Sequence, residues 1–286
     1  MRLAAALVAL VGAAILVLAL VTIAAQQASG VQPFSNELSD NIFFARTIPF
    51  VLGAGVAFGM LAAATAMRAR RAKPGEVRRF SRATVIGHWL ITLGFLLALP
   101  TGVWQYLGGI LDVNAPISLY LFYRVHYIGA AIILFSVAYF LTYWWQTGSR
   151  SLLPPRGEWR RHWSAFAGEL PPQLGRIVGR ALRVEPIRSD SPPGQFSYYE
   201  TAFSFPTWTI AIGLITVTGL IKALRYLAPV PGPVLWGAST LHVAAMVLLV
   251  LKVLDHLRYV FGRWPLVKAM TTTWLSEQYA RARNMG

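Results

Sequence analysis

Apolar stretches of about twenty residues or more recur along the chain, and each is long enough to cross a hydrocarbon core about 30 Å thick as a helix. In lipid only helices and closed barrels satisfy their own backbone hydrogen bonds, so these stretches point to an all-α, polytopic transmembrane helical bundle. Composition agrees: 56% of the 286 residues are hydrophobic and 13% are charged, with a mean hydropathy of +0.52. There is no cysteine, which excludes disulfides, thiolate metal sites and any iron-sulfur cluster held by this chain.

Hydropathy places six spans. The first, within residues 1–30, resembles a signal peptide in its charged start and small-residue end, but its apolar run is longer than a usual signal core and reads as a retained span. A polar loop with Glu37, Asp40 and Arg46 follows, then a Gly- and Ala-rich second span from about Ile48 to Met67, suited to close helix contact. Spans three and four run from about Ala83 to Trp104 and Ile117 to Trp145; spans five and six from about Phe203 to Leu224 and Leu235 to Tyr259. The resulting organisation is two N-terminal spans (1–67), a basic loop (68–82), a four-helix domain (83–262) with a hydrophilic insertion (146–201), and a basic tail (263–286). Within the insertion, a short amphipathic helix, a turn at Pro171-Pro172 and a second basic helix are expected, with His162 an interfacial surface residue.

The net charge of +15 is distributed by topology. Of 26 lysines and arginines, 21 fall in segments that the positive-inside rule assigns to the cytoplasm, while Arg46, Lys222 and Arg225 are left outside. That pattern fits attraction to anionic membrane lipid and argues against a nucleic-acid partner. Phosphate-cradling glycine loops, nucleophile elbows and hydrolytic His-Glu metal motifs are all missing.

Four histidines lie inside spans. His242 and His256, fourteen residues apart on span six, point to one side of a helix and stand roughly 21 Å apart along it. His88 lies near the inner end of span three and His126 near the outer end of span four, mirroring the depths of His256 and His242. An ionisable group inside a span is costly and marks function by default, although hydrogen-bonded packing would also account for any one of them. Two pairs at matched depths fit two bis-histidine b-type haems, the inner on His88 and His256 and the outer on His126 and His242. Gly87, Gly129 and Gly213 are candidates for close approach of a flat macrocycle. Lys252 and Asp255, one helical turn apart beside His256, and Gln195 in the incoming loop are candidate quinone contacts.

The pieces RFSRATVIGHWLITLGFLLALPTG, YRVHYIGA, TGLI, LHVAAMVLLVLKVLDHL and VKAMTTTWLSEQYARA are similar to the cytochrome b gamma subunits of membrane-bound formate dehydrogenases, across roughly Arg79 to Arg283. That family shares its four-helix dihaem core with the cytochrome b subunits of nickel-iron hydrogenases. The resemblance implies a bacterial inner-membrane subunit in a respiratory chain. Electrons would pass from a catalytic oxidoreductase subunit through an iron-sulfur partner subunit and both haems to a quinone near the cytoplasmic face, the same histidine pairs holding the irons. The chain departs from the family in its two extra N-terminal spans, and in reading Pro192-Pro193-Gly194-Gln195 where the family has an asparagine ahead of Ala-Gly-Gln. A hydrogenase-type cytochrome b would use the same ligands, whereas a transporter or a haem-free anchor would need none of them.

Overall fold

The computed structural model describes residues 37–66, 74–111, 119–148, 152–188 and 196–282. Five of its helices are long and apolar enough to cross a membrane: α1 (Glu37–Ala66), α2 (Arg82–Leu111), α3 (Leu119–Thr147), a span beginning as a π-helix (Tyr199–Ser204) and continuing as α6 (Phe205–Leu224), and α7 (Gly232–Phe261). Shorter helices α4 (Trp159–Glu169), α5 (Pro172–Leu182), α8 (Trp264–Thr272) and α9 (Glu277–Ala282) accompany them, with a two-stranded pair, β1 (Glu76–Arg78) and β2 (Trp274–Ser276). The expected first span lies outside the described residues.

The chain divides into two compact units. The first takes in α1, α2, α3 and the stretch Gly213–Val250 of α6 and α7; the second takes in Arg70–Ser81, Gly148–Ile212 and Leu251–Gly286. In the first unit α3 is flanked closely by α1 and α2. Glycine makes both approaches possible. A Cβ on Gly55 or Gly59 of α1 would lie 2.4 Å from the Phe135 carbonyl oxygen or 2.6 Å from that of Tyr139, and one on Gly129 of α3 would lie 2.6 Å from the Ala98 nitrogen of α2. Gly55 and Gly59 are four apart, so both face the same ridge of α3 and let the backbones meet, as small residues do wherever helices cannot rely on water to drive them together. Gly129 therefore serves helix packing, and so does Gly87, whose Cβ would meet Phe140 and Tyr139 at 2.6 and 2.7 Å. Neither leaves room for a macrocycle, contrary to the sequence reading.

The stretch around Glu37, Asp40 and Arg46, expected as a polar loop, is instead helical from Glu37 onward. Asp40 is buried in this turn because Arg124 of α3 donates to it at 2.8 Å, and Tyr127 donates to Asn41 beside it. Pairing lets a charged turn continue into the apolar helix.

In the second unit β1 and β2 run antiparallel, with Val77 opposite Leu275, and Arg79 N–H donates to the Thr273 carbonyl at 3.0 Å. This ties the loop after α1 to the tail, a pairing too short for its alternation to be visible in the sequence. Around it Tyr259, Leu266, Ala269, Leu275 and Ala280 form a small core. The α4/α5 hairpin turns at Pro171-Pro172 as expected, and Arg183 closes α5 in the left-handed conformation while Val184 N–H returns to Gly179 at 2.8 Å. His162 is buried at 4% exposure rather than lying at a surface, its ring hydrogen-bonded to Thr201 at 3.0 Å and edge-on to Tyr198. Burial lowers its pKa below the ordinary histidine value, favouring the neutral ring.

Replacing Gly59 by Ala should cost about 1–3 kcal/mol through forced separation of α1 and α3. Gly237→Ala, where a Cβ meets nothing within 4 Å, should be neutral or stabilise slightly. Thermal unfolding of the two purified variants checks this, and equal midpoints would contradict backbone contact at Gly59.

Candidate functional site

The first unit holds a cavity of about 430 Å³ that both His126 and His242 line, within the size range of small-molecule and cofactor sites. Each histidine is held in the same way. Pro100, inside α2, deprives the helix of one N–H; in the following turn Thr101 donates its hydroxyl to the Leu97 carbonyl at 2.6 Å. Beside it the Ala98 carbonyl lies 2.9 Å from His126 Nδ1, with Thr101 Oγ1 at 3.3 Å. A carbonyl only accepts, so His126 Nδ1 carries the proton. On α6, Thr218 donates to the Leu214 carbonyl at 2.6 Å and sits 2.9 Å from His242 Nδ1. With its own proton engaged, the hydroxyl accepts, and His242 Nδ1 is again the donor.

The residue after each threonine is glycine. A Cβ on Gly102 would lie 3.1 Å from His126 Cε1, and one on Gly219 would lie 3.4 Å from His242 Cε1. Two Thr-Gly dipeptides, on α2 and α6, thus cradle imidazoles presented by α3 and α7: threonine sets the Nδ1 end and glycine leaves space for the ring edge. Both rings keep an unprotonated Nε2, the tautomer that a metal-ligating histidine adopts when its other nitrogen is anchored.

The remaining polar lining is positive or neutral. Lys222, Arg225 and Gln105 border the cavity, and none of the described residues lining it is acidic. Gln105 Nε2 and Thr216 Oγ1 are buried without a hydrogen-bond partner among the described residues. Such orphaned groups are costly and are characteristic of a wall whose partner is a bound molecule. Among the described residues there is no group of three or more His, Cys, Asp or Glu side chains able to hold a metal ion. A bare ion in the cavity would have two imidazoles and little else, well short of a closed protein shell. The donor set is that of a group that would bring further metal ligands and acidic substituents of its own: two imidazoles, an apolar wall, two cations and an amide.

The other sequence candidates fall as follows. His88, in the first unit, lies edge-on to Trp89 at 5.4 Å, and its carbonyl accepts from Thr92 at 2.8 Å. His256, in the second unit, is edge-on to Trp208 at 5.9 Å. Gly213 lines a second, apolar groove with Val217 and Leu241, which Thr218 of the His242 cradle also borders. Gln195 lies outside the described residues. Gly102, Gly219 and Thr218, which the sequence reading did not select, are the residues that position the rings. Their signal was the repeated Thr-Gly dipeptide within ALPTG and TGLI.

In the second unit Lys252 and Asp255 do pair, Nζ to Oδ2 at 2.7 Å, with Lys252 fully buried. Asp255 also accepts from Arg258 at 3.0 Å and from the Tyr199 hydroxyl. The π-helix organises this cluster. Tyr199 reaches Asp255, Glu200 pairs with Arg79 at 3.3 Å, Thr201 bonds His162, and the Phe203 ring lies 4.9 Å from Lys252 Nζ. Single-turn π segments recur at functional sites because the extra residue redirects successive side chains. Compared with known protein families, with curated proteins and with solved structures, the chain finds no match.

Proposed function

We propose that this chain is the membrane cytochrome b subunit of a respiratory oxidoreductase complex of the bacterial inner membrane, similar to a formate dehydrogenase gamma subunit. It carries electrons through two b-type haems between an iron-sulfur partner subunit and the quinone pool. The observation that supports this most is the cavity that His126 and His242 both line, each with Nδ1 anchored beside a Thr-Gly dipeptide. These two histidines hold the outer haem, and Lys222, Arg225 and Gln105 meet its carboxylates. The inner pair, His88 and His256, rests on the sequence: matched depth and spacing along span six.

When bound, such groups supply reversible one-electron couples. The chain's own residues do the rest. The Nδ1–H bonds of His126 and His242 fix ring orientation and raise the basicity of Nε2, favouring the oxidised metal. The apolar wall around Phe95, Leu134 and Met246 excludes water. Iron-sulfur clusters belong to the partner, because this chain has no cysteine to hold one.

His126→Ala or His242→Ala should remove one of two haems, and His88→Ala or His256→Ala the other, as read by pyridine haemochrome assay of the purified single variants. Two haems retained in all four would contradict the ligand assignment.

The second-unit pair Lys252 and Asp255 is the proposed quinone contact: Lys252, or Gln195 as the sequence suggests, hydrogen-bonds a carbonyl oxygen, and Asp255 relays the proton. In Asp255→Asn, haem reduction by the partner should stay normal while quinol formation slows about 10²-fold or more, the usual scale for loss of a positioned acid-base group. Wild-type quinol formation in Asp255→Asn, Lys252→Met and Gln195→Ala alike would remove the quinone from this place.

A further inference from the structure

Helix α5 packs by an unusual face. Its contact with the rest of the second unit is made by Gly175 and Gly179: a Cβ on Gly175 would fall 2.4 Å from the Ala167 carbonyl oxygen, and one on Gly179 would fall 2.7 Å from that of Val184. With glycines turned inward, Val178 beside them packs against the core around Phe166 and Tyr198, while the apolar residues farther round the helix stay outside it. Leu174 and Ile177 are 52% and 63% exposed, and Ala181 continues their line one turn on. Arg176, Arg180 and Arg183, also exposed, occupy the adjoining face. None of these three arginines pairs with an acid among the described residues. An amphipathic helix ordinarily buries its apolar stripe; here both the stripe and the cationic face beside it lack a partner.

We infer that α5 is an interfacial membrane helix, with Leu174, Ile177 and Ala181 set into the acyl boundary and Arg176, Arg180 and Arg183 on anionic lipid headgroups. Charge complementarity selects this occupant, since an apolar stripe flanked by arginines is the pattern that binds anionic bilayers. Chain connection keeps a bilayer within reach. The segment that carries α5 leaves one candidate span at Thr147 and enters the next at Tyr199. The inference is independent of the haem reading.

The chain has no cysteine, so single cysteines can be placed and spin-labelled in the full-length protein, reconstituted in phosphatidylcholine vesicles with and without phosphatidylglycerol. Collision with oxygen, which concentrates in lipid, is compared with collision with a water-confined nickel chelate. In anionic vesicles, labels at Leu174→Cys and Ile177→Cys should match one at Leu141→Cys, which is 61% exposed on candidate span α3, favouring oxygen. A label at Arg176→Cys should favour the chelate. Leaving out phosphatidylglycerol, or changing Arg176, Arg180 and Arg183 to Gln, should move the Ile177 label toward water. Equal chelate access at Ile177 and Arg176 would overturn the inference, and shielding of Ile177 from both reagents would replace lipid by a protein partner.

Discussion

The first unit depends on two hydrogen bonds from imidazole nitrogens. His126 Nδ1–H to the Ala98 carbonyl and His242 Nδ1–H to Thr218 Oγ1 each settle a polar group that would otherwise be stranded in an apolar bundle. Each also decides which nitrogen remains basic. The local sequence follows from that need. Pro100 disturbs the backbone of α2, Thr101 and Thr218 fill in as donors to their own helices, and Gly102 and Gly219 clear the space that the rings occupy. A Cβ at Gly102 would crowd the His126 ring edge at 3.1 Å, whereas one at Gly219 would meet the His242 ring at 3.4 Å, in ordinary van der Waals contact.

Glycine and charge pairing carry much of the remaining architecture. Between α1, α2 and α3, side chains are removed so that backbones touch, and the buried carboxylate of Asp40 is met by Arg124. In the second unit the π-helix fans out contacts from Tyr199, Glu200, Thr201 and Phe203, and the buried Lys252 is met by Asp255 and by the faces of Tyr199 and Phe203. Lys222 stands apart from this rule. It borders the histidine cavity with Arg225, and no acid lines that wall among the described residues.

Span positions were legible in the sequence because lipid imposes length and apolarity directly, and the α4/α5 hairpin because two prolines and a basic amphipathic pattern mark it. Helix ends were less so. Asp40 reads as a loop residue until Arg124, far along the chain, is seen to neutralise it, and His162 reads as exposed until Thr201 and Tyr198 are seen around it. Depth along the spans paired His126 with His242, and the cavity does bring those two together. Depth could not choose among glycines, because the sequence does not say which helix face each one presents. Gly129 turned toward neighbouring backbone and Gly87 toward the rings of Tyr139 and Phe140, and the imidazole-side positions fell to Gly102 and Gly219. The β1/β2 pair escaped notice because three residues per strand leave no periodicity to read.

If two imidazoles close on one iron from opposite sides, the reduced metal has no open position. Adding carbon monoxide to the dithionite-reduced, purified full-length protein tests this directly by visible spectroscopy. A six-coordinate low-spin spectrum that carbon monoxide leaves unchanged, and whose haem absorption falls in His242→Ala, is the expected result. A wild-type protein that forms the carbonyl complex at once, or that shows no haem absorption at all, would contradict the assignment of this cavity.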